Sequence, residues 1–447
     1  MAWRATRLRR ENVRSKLIGS LLALAALGVV ACAEQTPTSL DESLLPDEPI
    51  TLELHIPWED FASNLEVIGG YGSPSELGAG VLANSFAGTL DARTLLRFGA
   101  YPTTVSVRDT TGTTRPDSSL TFIGGRVVAF LDTIASTNEG PVLLRLGAIQ
   151  HPWDVSTVTW TTAVDTINDR RPWPEEGAGP VVPLGTAEWD PATGDSVWFE
   201  LDSAQVAAWA DTSEVSRGAR IDLLTEGARI QIATAVLRLN TRPSLNPDST
   251  FFLVAPREEI TFIYSPFPEP PPDGIRVGGA PAWRTVLDIR VPTQLNGPEA
   301  LCAVVACPVT LHSSELNYAA VVLRTRRTQD AFQPTDTVAI DVRPVLSRVA
   351  LPKAPLGNSL VGFAGRLIGP EFFGDQAGQD VEIPITIFAR NLVSGTDAAG
   401  FDPPETLALL SVFEPVSITF ASFNGPGDEN APFLKLIVTI GRSVELP

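Results

Sequence analysis

The amino-acid sequence predicts an all-β protein: two tandem β-sandwich domains of the jelly-roll type, following a signal peptide and a flexible tether. Three observations predict it. Short runs rich in β-branched residues recur along the chain, among them Leu52-Glu-Leu-His-Ile56, Arg126-Val-Val-Ala-Phe-Leu131, Ser196-Val-Trp-Phe-Glu-Leu201 and Leu434-Lys-Leu-Ile-Val-Thr-Ile440. Several alternate apolar and polar residues, as a half-buried strand does. Pro and Gly, 38 and 35 of 447 residues, punctuate these runs, and a hydrophobic content of 44% separates the chain from disordered ones. The third observation is an internal repeat.

Six blocks recur in the same order at an offset of ~190 residues, which is domain-sized. Thr94-Leu-Leu-Arg-Phe-Gly-Ala-Tyr-Pro102 matches Thr285-Val-Leu-Asp-Ile-Arg-Val-Pro292, and Val127–Thr133 matches Val321–Thr328. Val142–Ile149 matches Val338–Val345, Val197–Asp202 matches Val381–Thr386, and Arg220–Leu224 matches Thr406–Leu410. The sixth block pairs Ser249–Val254 with Pro432–Ile437. Helical signals are few: Ser203–Trp209, with Ser203 as its candidate cap, and the repeat partner Phe388–Val393. Pro266-Phe-Pro-Glu-Pro-Pro-Pro-Asp-Gly274 reads as a stiff linker. The domains are therefore drawn at 50–264 and 275–447, joined by 265–274. Each is long enough to bury its own core, and strands of this number close their edges best as a jelly roll.

The front of the chain reads as an export signal. Arg4, Arg7, Arg9, Arg10, Arg14 and Lys16 precede the apolar run Leu17–Ala31, which is too short for a comfortable bilayer span. Val29-Val30-Ala31-Cys32 resembles a bacterial lipobox, with Val in place of the preferred Leu, so Cys32 is the expected lipidation site after a leader of residues 1–31. Ordinary cleavage after Ala31-Cys32-Ala33 is the competing reading. Residues 32–49 form the tether. Ala33 after the lipidated Cys is not Asp, which by resemblance to Gram-negative lipoprotein sorting implies the outer rather than the inner membrane. In that oxidising compartment Cys302 and Cys307 are expected to form a disulfide, the alternative being two buried free thiols.

The chain carries −19 at pH 7. The leader holds six basic residues against Glu11, a net +5, so the remainder carries about −24. So acidic a surface argues against nucleic acid as a partner and confines membrane contact to the lipid anchor.

Trp153-Asp-Val-Ser-Thr-Val-Thr-Trp160, after the Val142 strand, is the sharpest local motif. It resembles the signature of DNRLRE (disaggregatase-related) domains, jelly-roll modules of secreted microbial proteins. Leu95-Leu-Arg-Phe98, the Val127 strand, the Val197–Trp209 strand and short helix, and Arg220–Leu224 stand where that resemblance expects them. It covers residues 90–256 and extends through the repeat to 276–440, where Ser417–Phe423 resembles the closing strand. The second half departs from it by having Leu346–Leu351 where the Trp motif should be. The resemblance implies a carbohydrate-binding module, because some members ride on polysaccharide-degrading enzymes.

Arg170-Arg-Pro-Trp-Pro-Glu-Glu176 lies in a loop the second half does not reproduce. An aromatic beside charged groups suits a sugar, so Arg170, Arg171 and Trp173 are the expected ligand-binding residues, against the plainer reading of a Pro-stiffened loop packing its Trp inward. Trp153 and Trp160 read as clamps of the turn, and Trp198 and Trp209 as core. His55, His151 and His312 have no metal or triad spacing. No catalytic residue and no cofactor is expected beyond a structural calcium, for which Asp154, Asp190 and Asp195 are the candidate ligands. The expected function is non-catalytic binding at the cell envelope, with polysaccharide as the partner. The alternatives are a structural lipoprotein binding an envelope protein, and a glycan-active enzyme with an unrecognised carboxylate pair.

Overall fold

The structure, a computed structural model, describes residues 49–210, 217–297, 302, 307–415 and 417–441. The leader, Cys32 and most of the tether therefore lie outside the described residues. The chain is all-β, 51% strand against 9% helix. β1 (Ile50–Ile56) and β2 (Ala62–Tyr71) open it. β3 (Gly80–Phe86) and β4 (Leu90–Phe98) follow, then a hairpin of β5 (Val105–Arg108) and β6 (Thr114–Asp117). After β7 (Leu120–Thr137) and β8 (Val142–Ile149) comes a second hairpin, β9 (Thr162–Thr166) and β10 (Asp169–Pro172). β11 (Val181–Trp189), β12 (Ser196–Leu201), β13 (Gly218–Leu223), β14 (Ala228–Pro243) and β15 (Phe251–Ser265) complete the first half. The second half runs through β16 (Ile275–Gly279), β17 (Ala282–Ile289), a short pair β18 (Gln294–Leu295) and β19 (Val309–Thr310), and β20 (Leu316–Arg324). It ends with β21 (Val338–Pro344), β22 (Arg366–Ile368), β23 (Asp380–Pro384), β24 (Thr406–Ser411), β25 (Phe420–Phe423) and β26 (Phe433–Ile440).

Strand pairing gives each half the same topology. In the first, β3-β14-β7-β12 lie side by side, as do β4-β13-β8-β11. Counting only these eight strands in chain order, they are one, eight, three and six, then two, seven, four and five, the jelly-roll order. β15 bends at a bulge between Arg257 and Glu259, so it pairs β14 with its first half and β4 with its second, joining the two sheets along one edge. In the second half the orders are β1-β26-β20-β23 and β17-β24-β21-β22, again one, eight, three, six and two, seven, four, five.

That second set corrects the domain boundaries. Residues 50–71, drawn as the start of the first domain, belong to the second sandwich: β1 supplies its first strand and β2 pairs with β17. The first sandwich is inserted between them and β16. The alternation in Leu52–Ile56 marks a strand, but nothing local says which distant edge it completes.

Five of the six repeat blocks fall on topologically equivalent strands: β4 and β17, β7 and β20, β8 and β21, β12 and β23, β13 and β24. The sixth does not. Ser249–Val254 enters β15, whereas the counterpart of β26 is β14; the two strands of that hairpin carry similar alternation, and sequence matching chose the wrong one. Both expected helices are present, Ser203–Trp209 and Thr386–Ser394, each after the equivalent strand. The cap of the first is Asp202, which accepts from Gln205 N at 2.7 Å, not Ser203.

Thr51–Thr439 form one compact unit. The first sandwich closes over Leu96, Phe98, Leu144, Leu146, Phe199 and Leu237. A further apolar cluster is shared by the two: Leu90, Ala92, Phe262 and Tyr264 of the first pack with Phe332, Ile418 and Phe420 of the second. Among the described residues no helix is long and apolar enough to cross a membrane.

Candidate functional site: a cleft beside the tryptophan turn

In a two-sheet sandwich alternate residues of each strand leave the core. Along β4 these are Arg93, Leu95 and Arg97; on β13 they are Arg220 and Asp222, and on β8 Arg145. Residues 150–180 fold over this outer face. Trp153, Val158, Ala163, Val164, Trp173 and Ala178 of that excursion pack on Leu95, Ile149 and Ile263.

The turn holds itself by hydrogen bonds the motif residues are suited to make. The Asp154 carboxylate accepts from Thr157 N (3.0 Å) and Thr157 Oγ1 (2.8 Å), and Thr157 Oγ1 in turn accepts from Asp165 N (3.0 Å). Trp173 Nε1 donates to Thr159 O at 3.0 Å, and Gly177 N to Trp160 O at 2.7 Å. Gly177 sits at φ +74°, where a Cβ would lie 2.4 Å from Arg93 Nη1, so conformation and space both call for glycine.

Beneath the cover lies a charge network. Asp222, 4% exposed, receives Arg220 at 2.7 and 2.9 Å and Arg145 at 2.8 Å, with Arg93 at 3.8 Å. Arg220 Nη1 also donates to Gly177 O and Ala178 O, both at 3.0 Å. Arg97 pairs with Glu259 and donates to Trp153 O at 3.1 Å. The tryptophans lie against the cations: Arg97 over Trp153 at 4.6 Å and Arg93 over Trp160 at 4.7 Å. Desolvation pushes the Arg93 pKa down, with Arg220 adding to that. Trp153 and Trp160 are thus the clamps the sequence suggests.

Beside this turn opens a cleft of about 410 Å³. It is lined by Ser156–Thr161, which includes Trp160, by Phe262–Ser265 at the end of β15 with Phe267 of the linker, and by Gly72–Pro74 and Pro281. Tyr264 and Phe267 stack with ring centroids 5.8 Å apart. Tyr264 is nearly buried, and burial drives its pKa up, so its phenol stays neutral. Phe267 is 50% exposed. Thr159, Thr161 and Glu176 are exposed at the rim. The cleft therefore offers the half-exposed Phe267 ring beside the partly buried Trp160, hydroxyls and a single carboxylate, a set that can hold a polyhydroxylated ligand. Among its described lining residues no second carboxylate stands by Glu176 to complete an acid–base pair.

The structure separates the residues expected to bind ligand. Trp173 is 5% exposed and points into the packed cover, so it is no platform. Arg170 and Arg171 lie on the β9–β10 hairpin, facing Asp165 (3.8 Å) and Asp169 (3.1 Å) respectively. The loop's contribution to the cleft is Glu176. Trp198, read as core, is 53% exposed on β12 with Arg126 5.8 Å from its ring, because Val197, Phe199 and Leu201 take the inward phase. Cys302 and Cys307 are joined, Sγ–Sγ 2.06 Å. Of the calcium candidates, Asp154 is spent on its own turn, and Asp190 Oδ1 accepts from Ala192 N (2.9 Å). Among the described residues no three His, Cys, Asp or Glu side chains are grouped to hold a metal ion. The residues sequence reasoning missed are Tyr264 and Phe267; the signal was there in Tyr264-Ser-Pro-Phe267, aromatics at the mouth of the linker.

No family model matches the chain, and no curated protein does. Among solved structures it is similar to the Cowpea mosaic virus top component, naturally occurring empty particles, at 9% identity over 81% of this chain and 91% of that one. The TM-score of 0.12 is too low to carry any argument.

Proposed function

We propose that the protein is an exported, lipid-anchored envelope protein that recognises polysaccharide without catalysis, and that the cleft between Trp160 and Phe267 is its sugar site. The observation that carries this reading is the cleft's chemistry: aromatic faces for sugar C–H groups, ringed by hydroxyls and one carboxylate. The leader and its lipobox support the location, with Cys32 as the anchor and the outer membrane as its membrane. The DNRLRE resemblance supports a module of this kind, although a fold alone does not set a function.

The test is a glycan array and polysaccharide pull-down with the full chain and its Phe267→Ala variant. Binding that the variant weakens about tenfold is expected, the loss typical of an aromatic anchor. Absence of glycan binding, or equal binding by the variant, overturns the reading. A second reading rests on a different surface. Trp198, Val254 and Phe252, 53%, 45% and 72% exposed, share the outer face of the β12-β7-β14-β15 sheet with Arg126, Glu200 and Arg238, and exposed apolar side chains rimmed by charges suit an envelope-protein partner. Trp198→Ala separates the two, since it leaves sugar binding untouched under the first reading.

A further inference from the structure

Two arginines are buried without a carboxylate. Arg229 and Arg276 are each 4% exposed. Each guanidinium makes one hydrogen bond, Arg229 to Ala331 O at 3.2 Å and Arg276 to Glu269 O at 2.7 Å, and among the described residues neither has an ion pair. Aromatic faces stand in for a counter-ion: Phe86 at 5.0 Å from Arg229, and Trp283 and Phe420 at 5.0 and 4.2 Å from Arg276. Burial pulls both pKa values down to about 10, so both remain charged at neutral pH. A buried charge lacking a counter-ion is costly.

The two differ in the room beside them. Arg229 borders a hollow of about 20 Å³, enough for about one water. Arg276 borders one of about 280 Å³, walled by Pro270–Pro272 of the linker and by Arg326, Arg327, Gln329 and Ser422. Arg327 is committed to Asp330 (2.9 Å) and Asp375 (3.2 Å). Arg326 is exposed and, among the described residues, has no ion pair. Glu269 also lines the hollow, but its side chain is exposed, where solvent and salt weaken its repulsion of an anion. In a chain of net charge −19, three arginines around one hollow stand against the general field.

We propose that this hollow binds a compact oxyanion, a carboxylate, sulfate or phosphate group, with Arg276 as the buried charge and Arg326 as the charge at the rim. The planar guanidinium fork matches such groups. The inference stands independently of the sugar cleft, since it uses other residues.

Isothermal titration calorimetry of the full chain at constant ionic strength, with sodium sulfate, sodium phosphate and sodium glucuronate as probes, tests it. At least one anion is expected to bind at one site per chain. Arg326→Gln, an exposed change that spares the fold, is expected to weaken it about tenfold, the worth of one charge-assisted hydrogen bond. Arg276→Gln is expected to abolish binding, with thermal unfolding checking that it folds. Glu176→Gln, an exposed change at the sugar cleft, is expected to leave anion binding unchanged, which keeps this result separate from the fate of the glycan reading. Glucuronate binding more tightly than the inorganic ions assigns the group to a sugar; the reverse order assigns it to a free ion. No binding by any probe, or equal binding by Arg326→Gln, overturns the proposal.

Discussion

The two sandwiches share a topology and finish the same sheet face in opposite ways. In the first, the outer face of β4 presents Arg97, which pairs with Glu259 and lies under Trp153 of the cover. In the second the equivalent position is Asp288, and the cation comes from the cover: Arg348 donates to it at 2.6 Å, with Thr406 Oγ1 donating to the same oxygen at 2.6 Å. Arg93 and its counterpart Arg284 both lie over an aromatic ring, Trp160 at 4.7 Å and Tyr71 at 3.8 Å. By strand register Asp222, the centre of the first network, corresponds to Leu410, which joins Val286, Val345 and Ala408 in an apolar cluster under Leu351 and Leu356. The scaffold fixes where a cover must be pinned, not which partner carries the charge. The cleft proposed for sugar opens beside the cover of tryptophans over arginines, whereas the second cover closes on an apolar cluster.

Substitutions can break this comparison at several strengths. The largest effects belong to the first cover. Asp222→Ala leaves Arg220 and Arg145 without their counter-ion and is expected to cost about 3–5 kcal/mol in denaturant unfolding. Trp173→Ala empties the middle of the packed cover at about 3–5 kcal/mol. Equal loss at Leu351→Ala in the second cover would contradict the contrast; being only partly buried, it should cost about 1 kcal/mol. Glu382→Gln, which breaks the surface contact of Lys435 with Glu382 at 3.0 Å, should change stability by less than about 1 kcal/mol.

A pH series sharpens the same contrast. In the turn between β5 and β6, the Thr111 hydroxyl first, then Arg115, hold the Asp109 carboxyl well below its ordinary pKa. A depressed folded-state pKa contributes stability above the ordinary carboxylate value and loses it as pH falls through the folded value. Asp109→Asn should therefore flatten the acid side of a thermal-stability profile. Glu414, raised by burial despite its pairing with Arg284 in the second sandwich, has the opposite sign: its contribution is present at low pH and lost as pH rises through its folded value.

Much of the fold was legible because strand alternation and block order are local signals. β4 and β17 declare themselves through Thr94-Leu-Leu and Thr285-Val-Leu, in which Thr94 and Thr285 are both fully buried. The home of β1 was not legible, because its partner β26 lies at the far end of the chain and the alternation of Leu52–Ile56 fits any open edge. Of the site, the Trp153–Trp160 turn was legible as a clamp from its spacing. Trp173 was misplaced because a loop of Pro, Arg and Glu looks solvated, while its indole donates to Thr159 O inside the cover. Trp198 was misplaced because Val197-Trp198-Phe199 is apolar in both phases, and only the pairing of β12 with β7 decides which turns inward. The cleft itself joins segments more than a hundred residues apart, which no local pattern reports.

Hydrogen exchange of the full chain with and without an oligosaccharide selected on the glycan array locates the sugar site within the fold. New protection is expected at Ser156–Thr161, Phe262–Phe267 and the adjoining lining residues Gly72–Pro74 and Pro281, with the rest of the second sandwich unchanged. Protection over β12 and β7 around Trp198, or over the second cover at Leu346–Leu356, would contradict it.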